Sequence, residues 1–196
     1  MGARAWKVGA AAGAAALALL WLSPAPARGR VFPDAPPPAR TGGFGEQTCR
    51  QCHFTGDENE PGGRLSLGGV PADYRPGERY RIVVSLERGE MKIGGFQLSA
   101  RFAAGAAAGR QAGKLGATDE RTKVTPDSTS GVEYASHARP GIQLTSEGKI
   151  EWSVEWTAPE AASGPVVFHV AGNAGDGDGS PLGDLVYTTS QTSQAP

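Results

Sequence analysis

The chain has little cysteine, little uninterrupted helix-forming sequence and no surplus charge. Two of its 196 residues are cysteines, Cys49 and Cys52, too few for the disulfide scaffold of a small secreted domain. Lys and Arg number 19 against 20 Asp and Glu, a formal net charge of -1 that excludes the basic footprint of a nucleic-acid binder. With 29 Gly and 15 Pro spread along the chain, a helical bundle or long coiled coil is excluded. No fixed-period repeat occurs, and beyond the N-terminus no apolar run reaches membrane-spanning length. No Ser/His/Asp or paired-carboxylate constellation argues for a hydrolase. What is present is 39% hydrophobic sequence, enough for a core and against wholesale disorder.

The N-terminus carries an export pattern. Arg4 and Lys7 open an Ala/Leu-rich apolar run, Val8 to Leu22, and Ala25-Pro26-Ala27 supplies a small-x-small cleavage site. The expectation is a signal peptide over residues 1–27 and an exported protein, periplasmic or extracellular, with no membrane span left after cleavage. An uncleaved N-terminal anchor is the alternative. Residues 28–40 are Pro-rich and expected as an extended spacer with no core to join. Residues 190–196 are polar and expected as a disordered tail.

Between these ends, residues 41–189 alternate short apolar strands with turn clusters. Tyr80, Ile82, Val84 and Leu86 alternate with polar or smaller residues, as do Ile150, Trp152, Val154 and Trp156. This period of two marks half-buried antiparallel strands. Phe96 to Phe102 and Val166 to Val170 read the same way, and Leu65–Leu67, Val132–Ala135 and Leu185–Thr188 are weaker. Pro76-Gly77, Gly89, Gly148 and Gly164-Pro165 mark the turns. About seven short strands so punctuated predict an all-β, immunoglobulin-like antiparallel sandwich. Ala103–Gly116 reads equally as a loop or a short helix.

One motif carries chemistry. Cys49-Arg50-Gln51-Cys52-His53 is the C-x-x-C-H pattern of covalent c-type heme attachment. Two thiols add to the porphyrin vinyl groups, the intervening pair sets their reach, and the next residue, His53, is held where its imidazole binds iron. The motif occurs once, so the expected cofactor is one covalent heme c. Three plainer readings compete: a thioredoxin-like dithiol, half of a zinc site, or a simple disulfide beside a chance histidine.

A low-spin electron carrier needs a second axial ligand. Outside the motif and the initiator, the candidates are His137, Met91 and His169. His137 ends the segment Glu133-Tyr134-Ala135-Ser136-His137 beside a loop and is the leading distal candidate, with Met91 the alternative. His169 sits mid-strand, opposite in face to Phe168. An open sixth position is the further possibility. Tyr134, Phe44 and Phe96 are candidates to shield the ring. Asp176-Gly177-Asp178-Gly179-Ser180, with Asp184 beyond it, has calcium-like oxygen chemistry, but Pro181 and Tyr187 break the EF-hand pattern, and a solvated hairpin loop is the expectation.

The Gly-rich lead-in Thr41 to Thr48 before Cys49 resembles that of bacterial exported choice-of-anchor V domains, which are similar to the reelin-type (reeler) sandwich. Pro76-Gly77-Glu78-Arg79-Tyr80, Gly95-Phe96-Gln97-Leu98, Tyr134 to His137, Trp156-Thr157-Ala158-Pro159 and Ala171-Gly172-Asn173-Ala174 continue the resemblance in order. It covers about residues 41–189 and implies a reeler-like sandwich outside the cytoplasm, with a recurrent histidine at the position of His137. It implies little about activity.

The functional expectation is an exported monoheme c-type cytochrome, a one-electron carrier and not an enzyme, working with redox partner proteins. Cys49 and Cys52 attach the heme and His53 binds its iron. The alternative is an extracellular adhesion or ligand-binding sandwich whose C-x-x-C pair is structural. A heme sensor or small heme enzyme with an open iron site is a third reading.

Overall fold

Residues 149–157 show how the sequence makes its sheets. Ile150, Trp152, Val154 and Trp156 are all buried, while Glu151, Ser153 and Glu155 between them stay half-exposed. Successive side chains of an extended strand point to opposite faces, so this spacing puts two indoles on one apolar face. In the computed structural model, which describes residues 1–2 and 32–196, that strand lies inside a sheet of an all-β sandwich. Residues 3–27 of the expected signal peptide and the first residues of the spacer lie outside the described residues.

The nine strands among the described residues are β1 (Gly63–Gly68), β2 (Arg79–Arg88), β3 (Ile93–Phe102), β4 (Lys114–Ala117), β5 (Thr122–Pro126), β6 (Glu133–His137), β7 (Lys149–Thr157), β8 (Val166–Gly175) and β9 (Leu185–Ser193). One sheet has the order β1-β2-β7-β4, the other β5-β6-β3-β8-β9, and every pairing within them is antiparallel. The core lies between them. Trp152 packs on Phe96 at 4.6 Å between ring centroids, and Trp156 meets Phe168 edge-on at 4.8 Å, so each indole crosses from one sheet to the other. Both indole N–H groups find carbonyls, Gly141 at 2.7 Å and Ala112 at 2.9 Å, so neither buried donor is left unpaired.

Several expectations are corrected. Ala103–Gly116 is neither a plain loop nor an α-helix: it holds one 3-10 turn, Gly105–Ala107, and ends in β4. The tail is ordered rather than free. β9 pairs with β8 as far as Ser193, and Gln194 exchanges backbone hydrogen bonds with Ala72 and Tyr74. Thr and Ser alternate there with little apolar signal, because the strand's polar face borders solvent. The Pro-rich spacer also joins the fold. The Arg40 N–H donates to Gln97 Oε1 at 2.7 Å, and Gln97 Nε2 donates to the Pro37 carbonyl at 3.0 Å.

That last feature builds the site. The outer face of the five-stranded sheet carries Gln97, Ser99, Arg101, Tyr134 and His169, a polar set that would ordinarily meet water. Instead the arm from residue 32 to about residue 60 lies across it. Glu46 is the clamp: it accepts from Tyr134 Oη at 2.5 Å and Thr41 Oγ1 at 2.6 Å and pairs with Arg101. A carboxylate sharing three donors away from water is well compensated for its burial.

Candidate functional site

The cysteine motif forms a tight turn. Thr48 opens it, its hydroxyl accepting from the Arg50 N–H, and the 3-10 turn Cys49–Gln51 follows. The N–H groups of Cys52 and His53 both donate to the Cys49 carbonyl, at 3.1 and 2.9 Å. Arg50 reaches forward to the Gly56 carbonyl. Both thiols are free. Desolvation pushes the Cys49 thiol up to about 12, unlike the low-pKa thiolate of a redox dithiol. The motif opens no α-helix, the second requirement of the thioredoxin-like reading.

Cys49, Cys52 and His53 line one wall of a cleft between the arm and the edge of the sandwich. The cleft has a cavity volume of about 130 Å3, opens to solvent, and is lined mostly by apolar surface. Its floor is the start of β3, Ile93 to Phe96. Phe32, Pro33, Pro36 and Pro37 form another wall, and the hairpin loop joining β8 to β9 closes the side next to His53.

His137 lines the same cleft. It ends β6, and its ring lies against the backbone of Gly95 and Phe96. A Cβ on Gly95 would come within 2.8 Å of the ring, so glycine makes this seat. The Phe96 N–H donates to His137 Nδ1 at 3.1 Å, which leaves the proton on Nε2, 3.0 Å from the Phe32 carbonyl. Burial pushes the imidazole below the ordinary histidine value and holds it neutral, the form that binds metal. The Phe96 carbonyl also stands 3.3 Å from Nδ1. The alternative tautomer therefore has an acceptor at Nδ1, and its Nε2 would have to turn away from the Phe32 carbonyl to face a ligand.

His53 faces the hairpin. Its Nδ1 lies 2.7 Å from Asp184 Oδ2, although the ring N–H is not aligned on the oxygen, so this is a close approach short of a formed hydrogen bond. Asp184 itself is buried and held by Asn173 Nδ2 at 3.1 Å and the Asp176 N–H at 3.2 Å.

The other candidates lie elsewhere. Met91 is buried in the hydrophobic core and takes no part in the cleft wall. His169 lies under the arm, edge-on to Phe44 at 5.4 Å. Phe44 also carries Arg101 over its ring, and Tyr134 is tied to Glu46, so these two aromatics pin the arm instead of shielding a ring in the cleft. Phe96 touches the cleft from the core side. In the acidic loop, Asp176 and Asp178 accept from the N–H groups two residues on, which is turn geometry.

The residues lining the cleft include the types that could hold a covalently attached porphyrin. Two thiols and one imidazole are presented from one five-residue turn, a second imidazole sits in the same cleft, and the lining between is mostly apolar. Arg40 is the lining's one arginine or lysine among the described residues, a partner for a carboxylate group. Sequence reasoning missed Asp184, Asn173 and Gly95 as parts of this site. No spacing rule joins residue 184 to residue 53; only the fold does.

Among solved structures, the Reelin-N domain of F-spondin is similar with a TM-score of 0.48 at 19% identity, over 76% of this chain and 97% of that one. A human F-spondin reeler domain gives 0.47 at 20%, over 71% and 93%. A cohesin module from a Clostridium perfringens family 33 glycoside hydrolase gives 0.45 at 15%, over 68% and 96%. These are low-identity likenesses of a β-sandwich fold and say nothing of activity. No protein-family model and no curated protein matches the sequence. Membership of the choice-of-anchor V family is not shown.

Proposed function

We propose that this chain is an exported monoheme c-type cytochrome that carries one electron between redox partner proteins. The observation that carries the reading is that Cys49, Cys52 and His53 line one mostly apolar cleft together with His137, which is distant in sequence. Cys49 and Cys52 would hold the heme by thioethers, and His53 and His137 would hold its iron. The heme supplies the valence change of its iron; the chain sets the potential through ligands, burial and hydrogen bonds. His137 is kept neutral by burial, and the Phe96 carbonyl would accept its Nδ1 proton if Nε2 were the iron ligand. The mostly apolar walls would lower the local polarity around a bound heme.

A second reading is a ligand-binding sandwich module whose cysteine pair is structural. The mostly apolar cleft favours it, since such a cleft takes a small apolar ligand without covalent links.

The spectrum of oxidised protein made with cytochrome c maturation machinery tests the ligand set. The expected result is low-spin bis-histidine iron without the charge-transfer band of methionine ligation. His137→Ala converts it to a high-spin form open to carbon monoxide, while Met91→Leu and His169→Ala leave it unchanged. A spectrum that His137→Ala does not move overturns the assignment of His137.

A further inference from the structure

The side of the cleft behind His53 is built with more care than attachment requires. Asp184 immediately precedes β9, is 4% exposed, and places Oδ2 2.7 Å from His53 Nδ1. Two sets of contacts fix that approach independently of the cysteines. The Gly183 N–H donates to Thr55 Oγ1 at 2.9 Å, tying the hairpin to the residues just after the motif. Asn59 then docks on β9, its N–H donating to the Val186 carbonyl and its side chain exchanging hydrogen bonds with Thr188. The carboxylate is also positioned from its own side by Asn173 of β8, which donates to the same Oδ2, and by the Asp176 N–H on Oδ1.

We propose that Asp184 is a positioning residue for His53 that tunes the iron: its carboxylate accepts the His53 Nδ1 proton, directs Nε2 into the cleft and lowers the reduction potential. This rests on the heme reading above. A ligating histidine whose other ring nitrogen donates to a carboxylate is a stronger donor than one bound to a neutral carbonyl. It gains partial imidazolate character and favours the more positive, oxidised metal. The 2.7 Å approach is within hydrogen-bond distance, and alignment of the ring N–H on Oδ2 would complete that bond. Asn173 moderates the effect, because it shares the oxygen that His53 would use.

This sharing gives a test with opposite signs. Asp184→Asn removes the negative charge but keeps an oxygen for the Asp176 N–H, so the hairpin is retained. Asn173→Ala removes the competing donor and leaves the carboxylate to His53 alone. Covalent heme content is measured first for each protein, then the midpoint potential by spectroelectrochemistry. The expected result is a more positive midpoint for Asp184→Asn and a more negative one for Asn173→Ala, with low-spin spectra kept. In heme-free protein, 15N NMR should show His53 protonated at Nδ1, and Asp184→Asn should shift that population toward Nε2. Normal covalent heme with both midpoints unchanged, or both moved the same way, overturns the tuning role and leaves the cytochrome reading standing. No covalent heme in the unsubstituted protein overturns both.

Discussion

His137 shows how much a single residue owes to neighbours that sequence does not reveal. Counting histidines and methionines narrows the distal ligand to three, and the loop-edge position of His137 favours it. The seat itself, a glycine at 95 and a backbone N–H at Phe96, comes from strand pairing between β3 and β6. Met91 differs from His137 in being core: its thioether is apolar enough to serve as filler, which is its more common use. Trp152 lies at the other extreme, fully legible from the alternation of its strand. Its indole is 2% exposed, packs on Phe96 and donates to Gly141. Trp152→Ala should cost roughly 3–5 kcal/mol in chemical denaturation, from lost burial and the cavity left behind. A loss under about 1 kcal/mol would mean that the two sheets do not meet through this residue.

At the scale of elements, the strands with clear apolar alternation were legible, and the short ones were not. β4 and β5 are four and five residues long and rich in Lys, Gly and Thr, so local pattern carries almost no signal there. The arm was invisible for a different reason: a Pro-rich, polar segment reads as a linker unless the polar face that receives it is known. Its docking makes a pH prediction through His169. Desolvation under the arm holds the His169 imidazole below its ordinary 6.5, with Arg101 pushing the same way and Glu46 opposing. The docked state therefore binds fewer protons than the undocked one. Docking is fully favoured above about pH 6.5 and weakens as pH falls below that value. Amide protection factors at Gly42 and Glu46, both hydrogen-bonded within the arm, should fall between pH 7.5 and about pH 5.5. His169→Phe should flatten that dependence; protection that falls equally in the variant would assign the change to other groups.

At the scale of the whole molecule, the sandwich core and the cleft are separate constructions. The core closes between the sheets without the arm, and the cleft exists because the arm crosses the outer face and meets the hairpin between β8 and β9. The fold class was legible from strand spacing, and the cysteine motif as a pattern of five residues. Their junction was not, because residues 49–53, 95, 137 and 184 meet only after both sheets have formed. The account stands on that junction being a heme site. The most direct measurement is a reduced pyridine spectrum, in denaturant, of the protein produced with cytochrome c maturation machinery and extracted with acid–acetone. The predicted result is one c-type hemochrome per chain that stays with the polypeptide and is lost when Cys49 and Cys52 are both replaced by Ala. Heme that leaves with the acetone, or no heme at all, would contradict the account.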